Sequence, residues 1–422
     1  MKLSSRTAGH LLGALLAATA AAGPAAAQEV TLTFANWASA EGTTRDGIEK
    51  VIAAFEEANP DINIESESIA FSEIERQLVL RLRSGNPPDV AQVAGNTTFV
   101  LAAAGALAPL NEYAGKDVLS QLKKGSYESY MVDGNLIAFP WNQATAGFWY
   151  NKKIMADAGL DPENPPRTIE ELDKDLAAIK EKEPNVIPLG LDTTNRAFSL
   201  QSNWPWMRTF GALPAGPDAT GAETKEMADY LDWMRMLSKN GYIDPGRKIG
   251  EFRPMIANGQ VAFLWDQVLV QGVIQSTNGM SDEEFNNTYG VTTMPAGPSG
   301  KPYAMEGGHQ LVIFKDSEHK DAAWKFIKFL ALNEDAVKTY TIGANKSLPP
   351  AATFQDPDVK AMLDTPVIEA YSNEIIPTIV SQPYGPDFSK AATAIMAGVQ
   401  EAVTSERPID QITADIQSQL DR

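Results

Sequence analysis

The chain contains no cysteine among its 422 residues. Disulfides, thiolate zinc sites, iron–sulfur clusters and cysteine nucleophiles are therefore excluded, and so is the lipid-modified cysteine of a bacterial lipoprotein. Histidine is almost as scarce, since the three are His10, His309 and His319. His309 and His319 lie ten residues apart with no further histidine or cysteine near them in sequence, so a zinc site is not expected. We predict neither a metal nor another cofactor.

Positive charge is in deficit, with 35 Lys and Arg against 54 Asp and Glu and a formal net charge of −19. Such a field repels phosphate backbones and anionic lipid headgroups, so nucleic acid is not expected as a partner. After the first residues no apolar run approaches the length of a membrane span. The hydrophobic fraction of 44% suffices for large buried cores, and the length predicts two domains.

The amino terminus has the composition of a secretory signal peptide. Lys2 and Arg6 precede a short apolar run, and Ala25–Ala27 supplies small residues at the expected cleavage position. We predict that residues 1–27 are removed, which changes the formal net charge to −21 because that segment holds two basic and no acidic residues. The mature chain is expected to be periplasmic, monomeric and without a membrane anchor.

Strand and helix patterns alternate along the mature chain. Thr31–Phe34 alternates like a strand, and apolar residues at helical spacing follow it. Capping boxes formed by Ser72 with Glu75 and by Thr168 with Glu171 predict two helix starts. The pattern predicts an α/β fold in which helices flank mostly parallel sheets.

Motifs of the common enzyme classes are absent from the sequence. There is no Gly-x-Ser-x-Gly elbow, no HExxH zinc helix, no phosphate-binding loop and no Gly-x-Gly-x-x-Gly fingerprint. We therefore predict a protein that is not an enzyme. A secreted carbohydrate-active enzyme stays open as an alternative, because its two carboxylates need to meet only in space.

Tryptophan and amide side chains cluster at predicted loops and strand ends. The tryptophans are Trp37, Trp141, Trp204, Trp206 and Trp265, and Asn, Gln and Asp residues adjoin them. An aromatic face covers the apolar side of a pyranose ring, while amides and carboxylates bond its hydroxyls. Loops at strand ends converge in α/β sheets, so facing loops of two domains predict a ligand cleft. For each tryptophan a buried structural role is the alternative.

Six segments resemble one protein family and occur in the order that the family carries them. They are residues 86–90, 134–140, 149–152, 165–172, 258–262 and 306–330. These segments resemble the extracellular solute-binding proteins of family 1, the periplasmic sugar-binding components of ATP-binding-cassette (ABC) importers, similar to maltose- and glucose-binding proteins. The resemblance extends over residues 28–422.

The resemblance implies a two-lobed periplasmic binding protein fold with hinge strands between the lobes. In such a fold the lobes close around the ligand, and a few residues at the ends of elements absorb the backbone change. The implied first lobe holds residues 28–139 and 297–341, and the second holds residues 145–294 and 346–422. Crossings between the lobes are expected at residues 139–145, 291–300 and 343–346.

The resemblance also implies the ligand-binding residues, which fall in loops that line the family's cleft. They are Asn36, Trp37, Ser39, Glu41, Gln92, Asn96, Asn142, Gln143, Gln201, Trp204, Trp265, Asp266, His309, Asn345 and Tyr384, with Glu306 as a further candidate. The acidic hinge residue of maltose-type proteins is Ala144 in this chain. A mono- or disaccharide or a polyol is therefore expected rather than a long maltodextrin.

Charge separates two ligand classes. The candidate set includes the acids Glu41 and Asp266 and few cations, which favours a neutral carbohydrate, delivered to an inner-membrane ABC permease. An anionic sugar or a glycerol phosphate would need several cations in the cleft. Arg196, Arg208 and Arg253 are the candidates for that alternative, which stays open.

Overall fold

The computed structural model describes residues 30–123, 125–216, 218–305, 307–385 and 387–422. The predicted signal peptide and Glu306 lie outside the described residues. In chain order the strands are β1 (Val30–Asn36), β2 (Ile62–Ser68), β3 (Val90–Val93), β4 (Met131–Val132), β5 (Asn135–Leu136), β6 (Phe139–Asn142), β7 (Ala146–Asn151), β8 (Ile187–Gly190), β9 (Val261–Gln267), β10 (Tyr289–Thr292), β11 (Ala304–Met305), β12 (His309–Ile313) and β13 (Ile379–Val380).

The helices surround these strands. In chain order they are α1 (Arg45–Ala58), α2 (Ile74–Arg83), α3 (Asn96–Ala103), α4 (Asn111–Leu119), α5 (Lys152–Asp157), α6 (Ile169–Lys182), α7 (Ala197–Phe210), α8 (Lys225–Lys239), α9 (Ile249–Ala257), α10 (Val270–Asn278), α11 (Asp282–Thr288), α12 (Lys320–Leu332), α13 (Glu334–Ala336), α14 (Pro357–Leu363), α15 (Pro366–Ala370), α16 (Phe388–Thr404) and α17 (Ile409–Leu420). Val337–Ala344 is a π-helix. Within the described ranges none of the helices is both long and apolar enough to cross a membrane.

The first sheet has the strand order β2-β1-β3-β12-β6. β1 pairs in parallel with β2 and β3, whereas β12 is antiparallel to β3 and to β6. The carboxyl ends of β1, β3 and β6 and the amino end of β12 therefore lie at one edge of the sheet. That edge carries Asn36, Val93, Asn142 and His309.

The second sheet has the strand order β10-β7-β9-β8. β8 and β9 are parallel, and β7 is antiparallel to β9 and β10. Each sheet is therefore mixed, with one strand, β12 or β7, running against the others. Both of these strands enter their lobe from a crossing, so each begins at the edge where its neighbours end. The expected α/β lobes are present, and their connections explain the reversed strands.

Two large hydrophobic cores correspond to two lobes. The first core takes its residues from 32–141 and 311–340, and the second from 146–305, Leu348 and 367–416. Because the chain crosses between the cores more than once, each lobe is built from separate stretches of sequence.

Two of the predicted lobe boundaries differ from the observed packing. Residues 297–305 were expected in the first lobe, but the Ser299 N–H donates to the Thr209 carbonyl (2.8 Å) and β11 pairs with β13. Ala304 and Met305 belong to the second core. The Pro- and Gly-rich segment before them is thus a turn within the second lobe, and the crossing follows it at Gly307–Gly308.

The other difference concerns residues 350–359, which were expected in the second lobe. The Lys123 N–H donates to the Pro350 carbonyl, and the Ala352 N–H donates to the Gln121 carbonyl, each at 2.8 Å. Ala351, Phe354 and Val359 form a small separate core with Val337. This stretch therefore packs beside the first lobe before the chain joins the second core at Val367.

One of the two predicted capping boxes forms. The Thr168 side chain accepts from the Glu171 N–H, and the Glu171 side chain accepts from the Thr168 N–H, at the start of α6. The box predicted for Ser72 and Glu75 is wrong, because a 3-10 turn at 71–73 precedes α2 and the Glu75 carboxylate accepts from the Thr97 hydroxyl (3.0 Å).

Candidate functional site

A cleft lies where the two sheets face each other. Only residues 143–145 separate the end of β6 in the first sheet from the start of β7 in the second. This crossing between the lobes therefore joins the two sheet edges that border the cleft. The cleft encloses a cavity of about 350 Å³. That volume is within the range of small-molecule sites, roughly 300–1,000 Å³.

The structure brings together part of the predicted site. Six predicted residues line the cleft, namely Trp37, Glu41, Gln201, His309, Asn345 and Tyr384. The other nine lie behind or beside it, as far as the described residues define the cavity. They are Asn36, Ser39, Gln92, Asn96, Asn142, Gln143, Trp204, Trp265 and Asp266.

Several buried amides shape the cleft wall from behind. The Asn36 amide oxygen accepts from the Ser39 N–H and hydroxyl, both at 2.8 Å, and thereby orders the loop after β1. The Gln92 amide oxygen accepts from the N–H groups of Trp37 and Ala38, both at 3.1 Å. Asn36 and Gln92 thus fix the loop that carries Trp37, and their amide oxygens already accept hydrogen bonds from within the protein.

His309 is held in one tautomer by two such amides. The Gln92 and Asn142 nitrogens lie 3.1 and 3.2 Å from His309 Nδ1. Backbone N–H groups donate to both amide oxygens, including the His309 N–H to Asn142 Oδ1 (3.2 Å), so both NH₂ groups face the ring. Nδ1 must then accept, and the proton resides on Nε2. Burial lowers the pKa of His309 to about 4, so the ring is neutral at physiological pH.

An aromatic wall adjoins His309 on the first lobe. Trp37 packs edge-on against His309 with ring centroids 4.8 Å apart, and against Phe71 at 5.2 Å. Trp37 is buried, whereas Phe71 is 53% exposed, which is unusual for so large an apolar side chain. The exposed ring of Phe71 lines the cleft, and Trp37 packs against it.

The other four loop tryptophans are structural in the described chain. Trp265 lies inside β9, which extends to Gln267, and its indole N–H donates to the Ser202 carbonyl (3.0 Å). Trp204 and Trp206 lie in the middle of α7, and Trp141 stacks on Tyr340 at 4.5 Å. The alternative of a core role is thus the observed one, because Trp265 lies inside a strand and Trp204 and Trp206 lie inside a helix.

Asp266 contacts a residue of the cleft instead of lining the cavity. Its carboxylate accepts from Nε and Nη2 of Arg253 at 2.6 and 3.0 Å. Arg253 lines the cleft, and this bidentate pair neutralises its charge. Among the described residues, Arg253 is the only one of the three candidate arginines that lines the cleft. Arg196 instead pairs with Asp192 (2.6 Å), and Arg208 lies over the Tyr303 ring.

Among the described residues, the other charged side chains that line the cleft are Glu41 and Lys346. Partial burial raises the pKa of the Glu41 carboxyl. Glu41 is the sole carboxylate lining the cavity among the described residues, whereas glycoside hydrolysis uses two. No group of three or more potential metal ligands occurs in the part of the chain that the structure describes.

The two lobes touch at one edge of the cleft. The Asn96 amide oxygen accepts from the Gly385 N–H (3.1 Å), and Phe99 stacks on Tyr384 with ring centroids 5.2 Å apart. A Cβ atom at Gly95 would lie 3.0 Å from the Gln201 amide nitrogen, so the glycine permits this approach. Asn96 thus links the two lobes by a hydrogen bond. Tyr384 contacts Phe99 of the first lobe and also lines the cavity.

Several cleft residues were not predicted. They include Phe71, Phe198, Gln267, Val268, Met305, Lys346 and Ser347. Gln267 could have been found because it directly follows the predicted Trp265 and Asp266, and the exposed Phe71 by its position just after β2. Arg253 was a candidate only for the anionic-ligand alternative, and the fold pairs it with Asp266 at the cleft.

Comparison with known proteins identifies the family. The profile of the bacterial extracellular solute-binding proteins matches residues 41–337, well over half of the chain. The chain belongs to this family. The solute-binding protein is 25% identical to the sn-glycerol-3-phosphate-binding periplasmic protein of Rhizobium meliloti (strain 1021), over 72% of this chain and 73% of that protein. It is also 25% identical to the maltotriose-binding protein of Pyrococcus abyssi, over 86% and 74% of the two chains.

The solved structures agree on the fold. The solute-binding protein superimposes on the cyclic alpha-maltosyl-1,6-maltose binding protein from Arthrobacter globiformis with a TM-score of 0.77, covering 93% of this chain and 98% of that one. Sequence identity in this pair is 21%, so the match shows the fold alone. The predicted two-lobed α/β fold is confirmed.

Proposed function

We propose that this solute-binding protein captures a neutral carbohydrate in the cleft and delivers it to an ABC import permease. The observation that carries the proposal is the presence of an exposed aromatic face, Phe71, and the neutral donor His309 Nε2–H on the same wall of one cavity. An aromatic ring covers the apolar face of a sugar, and neutral polar groups bond its hydroxyls. Gln201, Gln267 and Asn345 supply further amides.

Charge argues against a phosphate as the ligand. Arg253 is neutralised by Asp266, and the Glu41 carboxylate lines the same cavity. Among the described residues that line the cavity, Lys346 is then the one cation without an ion-pair partner, whereas a phosphate is usually bound by several donors. The relative that binds sn-glycerol 3-phosphate makes that compound the appropriate rival ligand for the test.

The proposal includes the route of the protein. Export through the predicted signal peptide would place a free, monomeric chain in the periplasm, and the protein would act by binding and release without catalysing a reaction. The lobes would close around the ligand, since a ligand shifts such an equilibrium through contacts that it makes in the closed state.

The test is a thermal-shift screen of monosaccharides, disaccharides, polyols and glycerol 3-phosphate, followed by calorimetry. We expect a neutral sugar to bind, and Phe71→Ala to weaken it about tenfold, the loss of a ring contact of the order of 1.5 kcal/mol. Leu80→Ala is the matched control, because Leu80 is 47% exposed and lies outside the cleft.

A result in which glycerol 3-phosphate binds and no neutral sugar does would contradict the proposal. If Phe71→Ala and Leu80→Ala bound the sugar with equal affinity, Phe71 would not belong to the binding site.

A further inference from the structure

Asp266 is a buried carboxylate directly behind the wall of the cleft. It is 3% exposed, and the Gln267 N–H donates to its Oδ1 (2.7 Å). Its backbone carbonyl accepts from the Trp149 indole N–H (3.0 Å) and from the Tyr371 hydroxyl (3.4 Å). Neighbouring elements therefore fix the backbone of Asp266 and hold its carboxylate next to the cleft.

The Asp266 carboxylate engages one edge of the Arg253 guanidinium. Arg253 Nε and Nη2 donate to the two carboxylate oxygens at 2.6 and 3.0 Å. The Arg253 side chain is 25% exposed and lines the cavity, whereas the Asp266 side chain is 2% exposed. A guanidinium has five N–H groups, and the three that remain donate to no other described residue. Arg253 thus keeps hydrogen-bond donors for a ligand while its charge is paired.

The charges in and behind the cleft balance. Among the described residues, Arg253 and Lys346 are the cations, and Glu41 and Asp266 are the carboxylates. An anion that enters the cleft has to compete with Asp266 for the guanidinium, and it meets Glu41 as a like charge. A neutral hydroxyl bears neither cost, because it accepts from the free N–H groups of a guanidinium that stays paired.

We infer that Asp266 determines the charge class of the ligand. It is a positioning residue that acts through Arg253, which it keeps as a donor for neutral hydroxyls and prevents from binding an anion. Specificity is a difference of affinities, and pairing a cation beforehand penalises the anionic ligand. The inference rests on the proposed function and assigns its selection of neutral ligands to one side chain.

Asp266→Asn should therefore extend binding to anions. Asparagine has nearly the same shape, but it is neutral and accepts through one oxygen, so the charge of Arg253 becomes uncompensated. A guanidinium binds carboxylate and phosphate oxygens in pairs. In this variant an anion would meet two cations, Arg253 and Lys346, opposed by Glu41.

Calorimetry with matched anionic and neutral probes gives the readout. The pairs are glycerol 3-phosphate with glycerol, glucose 6-phosphate with glucose, and galacturonate with galactose. We expect Asp266→Asn to bind one or more of the anions at least about tenfold more tightly than the unaltered protein does, as for one gained charge-assisted contact. Affinity for the neutral partners should not increase. Raising the salt concentration from about 0.05 to about 0.5 M should remove most of the gain, because salt screens exposed charges.

Two control variants separate the charge of Asp266 from other effects. Glu67→Gln also replaces a carboxylate that is paired with an arginine, Arg81, but this ion pair lies outside the cavity. It changes the net charge by the same amount and should leave the affinity for every probe unchanged. Asp266→Glu keeps the carboxylate and should gain no affinity for anions.

Asp266→Ser is the second variant, for the case in which Asp266→Asn does not fold, as judged by its melting curve. Serine also removes the charge beside Arg253, so the same gain is expected. If the folded variant gains affinity for none of the anions, or if Glu67→Gln shows the same gain, the inference is overturned and the proposed function stays intact. Binding of an anion by the unaltered protein as tightly as by these variants also overturns the inference, and it contradicts the proposed function where no neutral sugar binds.

Discussion

At the scale of single residues, some polar side chains near the cleft line the cavity, and others form hydrogen bonds that position the residues lining it. Gln92 and Asn142 were predicted to bind ligand, and both instead donate to His309 Nδ1. Their residue types and positions at strand ends were correctly recognised. Their direction could not be predicted, because it depends on β12, which pairs with β3 and β6 from far along the chain.

His309 gives a prediction on pH dependence. Its pKa falls from 6.5 to about 4 on folding, so between these values the unfolded chain binds more protons than the native protein. The free energy of unfolding should therefore decrease as the pH drops from 6.5 to 4, by up to about 3 kcal/mol from this residue. Urea unfolding at several pH values measures the decrease.

His309→Gln is the control for that measurement, because glutamine keeps polar atoms at the position and does not titrate. The variant should lose stability less steeply than the unaltered protein over the same interval. Parallel pH profiles for the two proteins would show that His309 is not held neutral by its surroundings.

At the scale of elements, the crossings depend on close backbone packing. A Cβ at Gly308 would lie 2.2 Å from the Asn142 carbonyl oxygen, and the residue has a φ of +108°. Gly307 and Gly308 thus allow the third stretch of chain to pass against the first crossing at 142–144. Gly307 and Gly308 are visible in the sequence, but the proline- and glycine-rich stretch at 295–300 is the stronger composition signal. The sequence therefore predicts the crossing between the lobes several residues before its observed position.

Gly308→Ala should therefore destabilise the protein more than other glycine substitutions. Gly300→Ala is the matched control, since Gly300 also has positive φ (+71°) but has no atom within 4 Å of the added Cβ. We expect a loss of about 1 kcal/mol for Gly300→Ala and at least about 2 kcal/mol more for Gly308→Ala, from overpacking. Denaturant midpoints followed by tryptophan fluorescence compare the two, and equal midpoints would contradict the account of the crossing.

Local signals predicted the elements well where no distant residue competed. The Thr168–Glu171 capping box forms because both partners belong to the same helix start. The Ser72–Glu75 box does not form, because Thr97 from a different element takes the Glu75 carboxylate. The same limit applies to Trp265, whose strand continues because β7 pairs with it up to Gln267.

At the scale of the whole molecule, the fold follows from two cores between which the chain crosses more than once. Strand and helix periodicity predicted α/β units, and the resemblance to a family predicted their arrangement in two lobes. Contacts between the lobes, such as Asn96 with Gly385 and Phe99 with Tyr384, could not be predicted, because nothing in a single sequence records which loops meet across a cleft.

A neutral sugar captured between the lobes should change the overall dimensions of the protein. Small-angle X-ray scattering, recorded with the sugar identified by calorimetry and separately with glycerol 3-phosphate, tests it most directly. A ligand that contacts both lobes stabilises the closed arrangement, so the radius of gyration should decrease at saturating sugar and stay constant with glycerol 3-phosphate. An unchanged radius with bound sugar, or a decrease with glycerol 3-phosphate alone, would contradict the account.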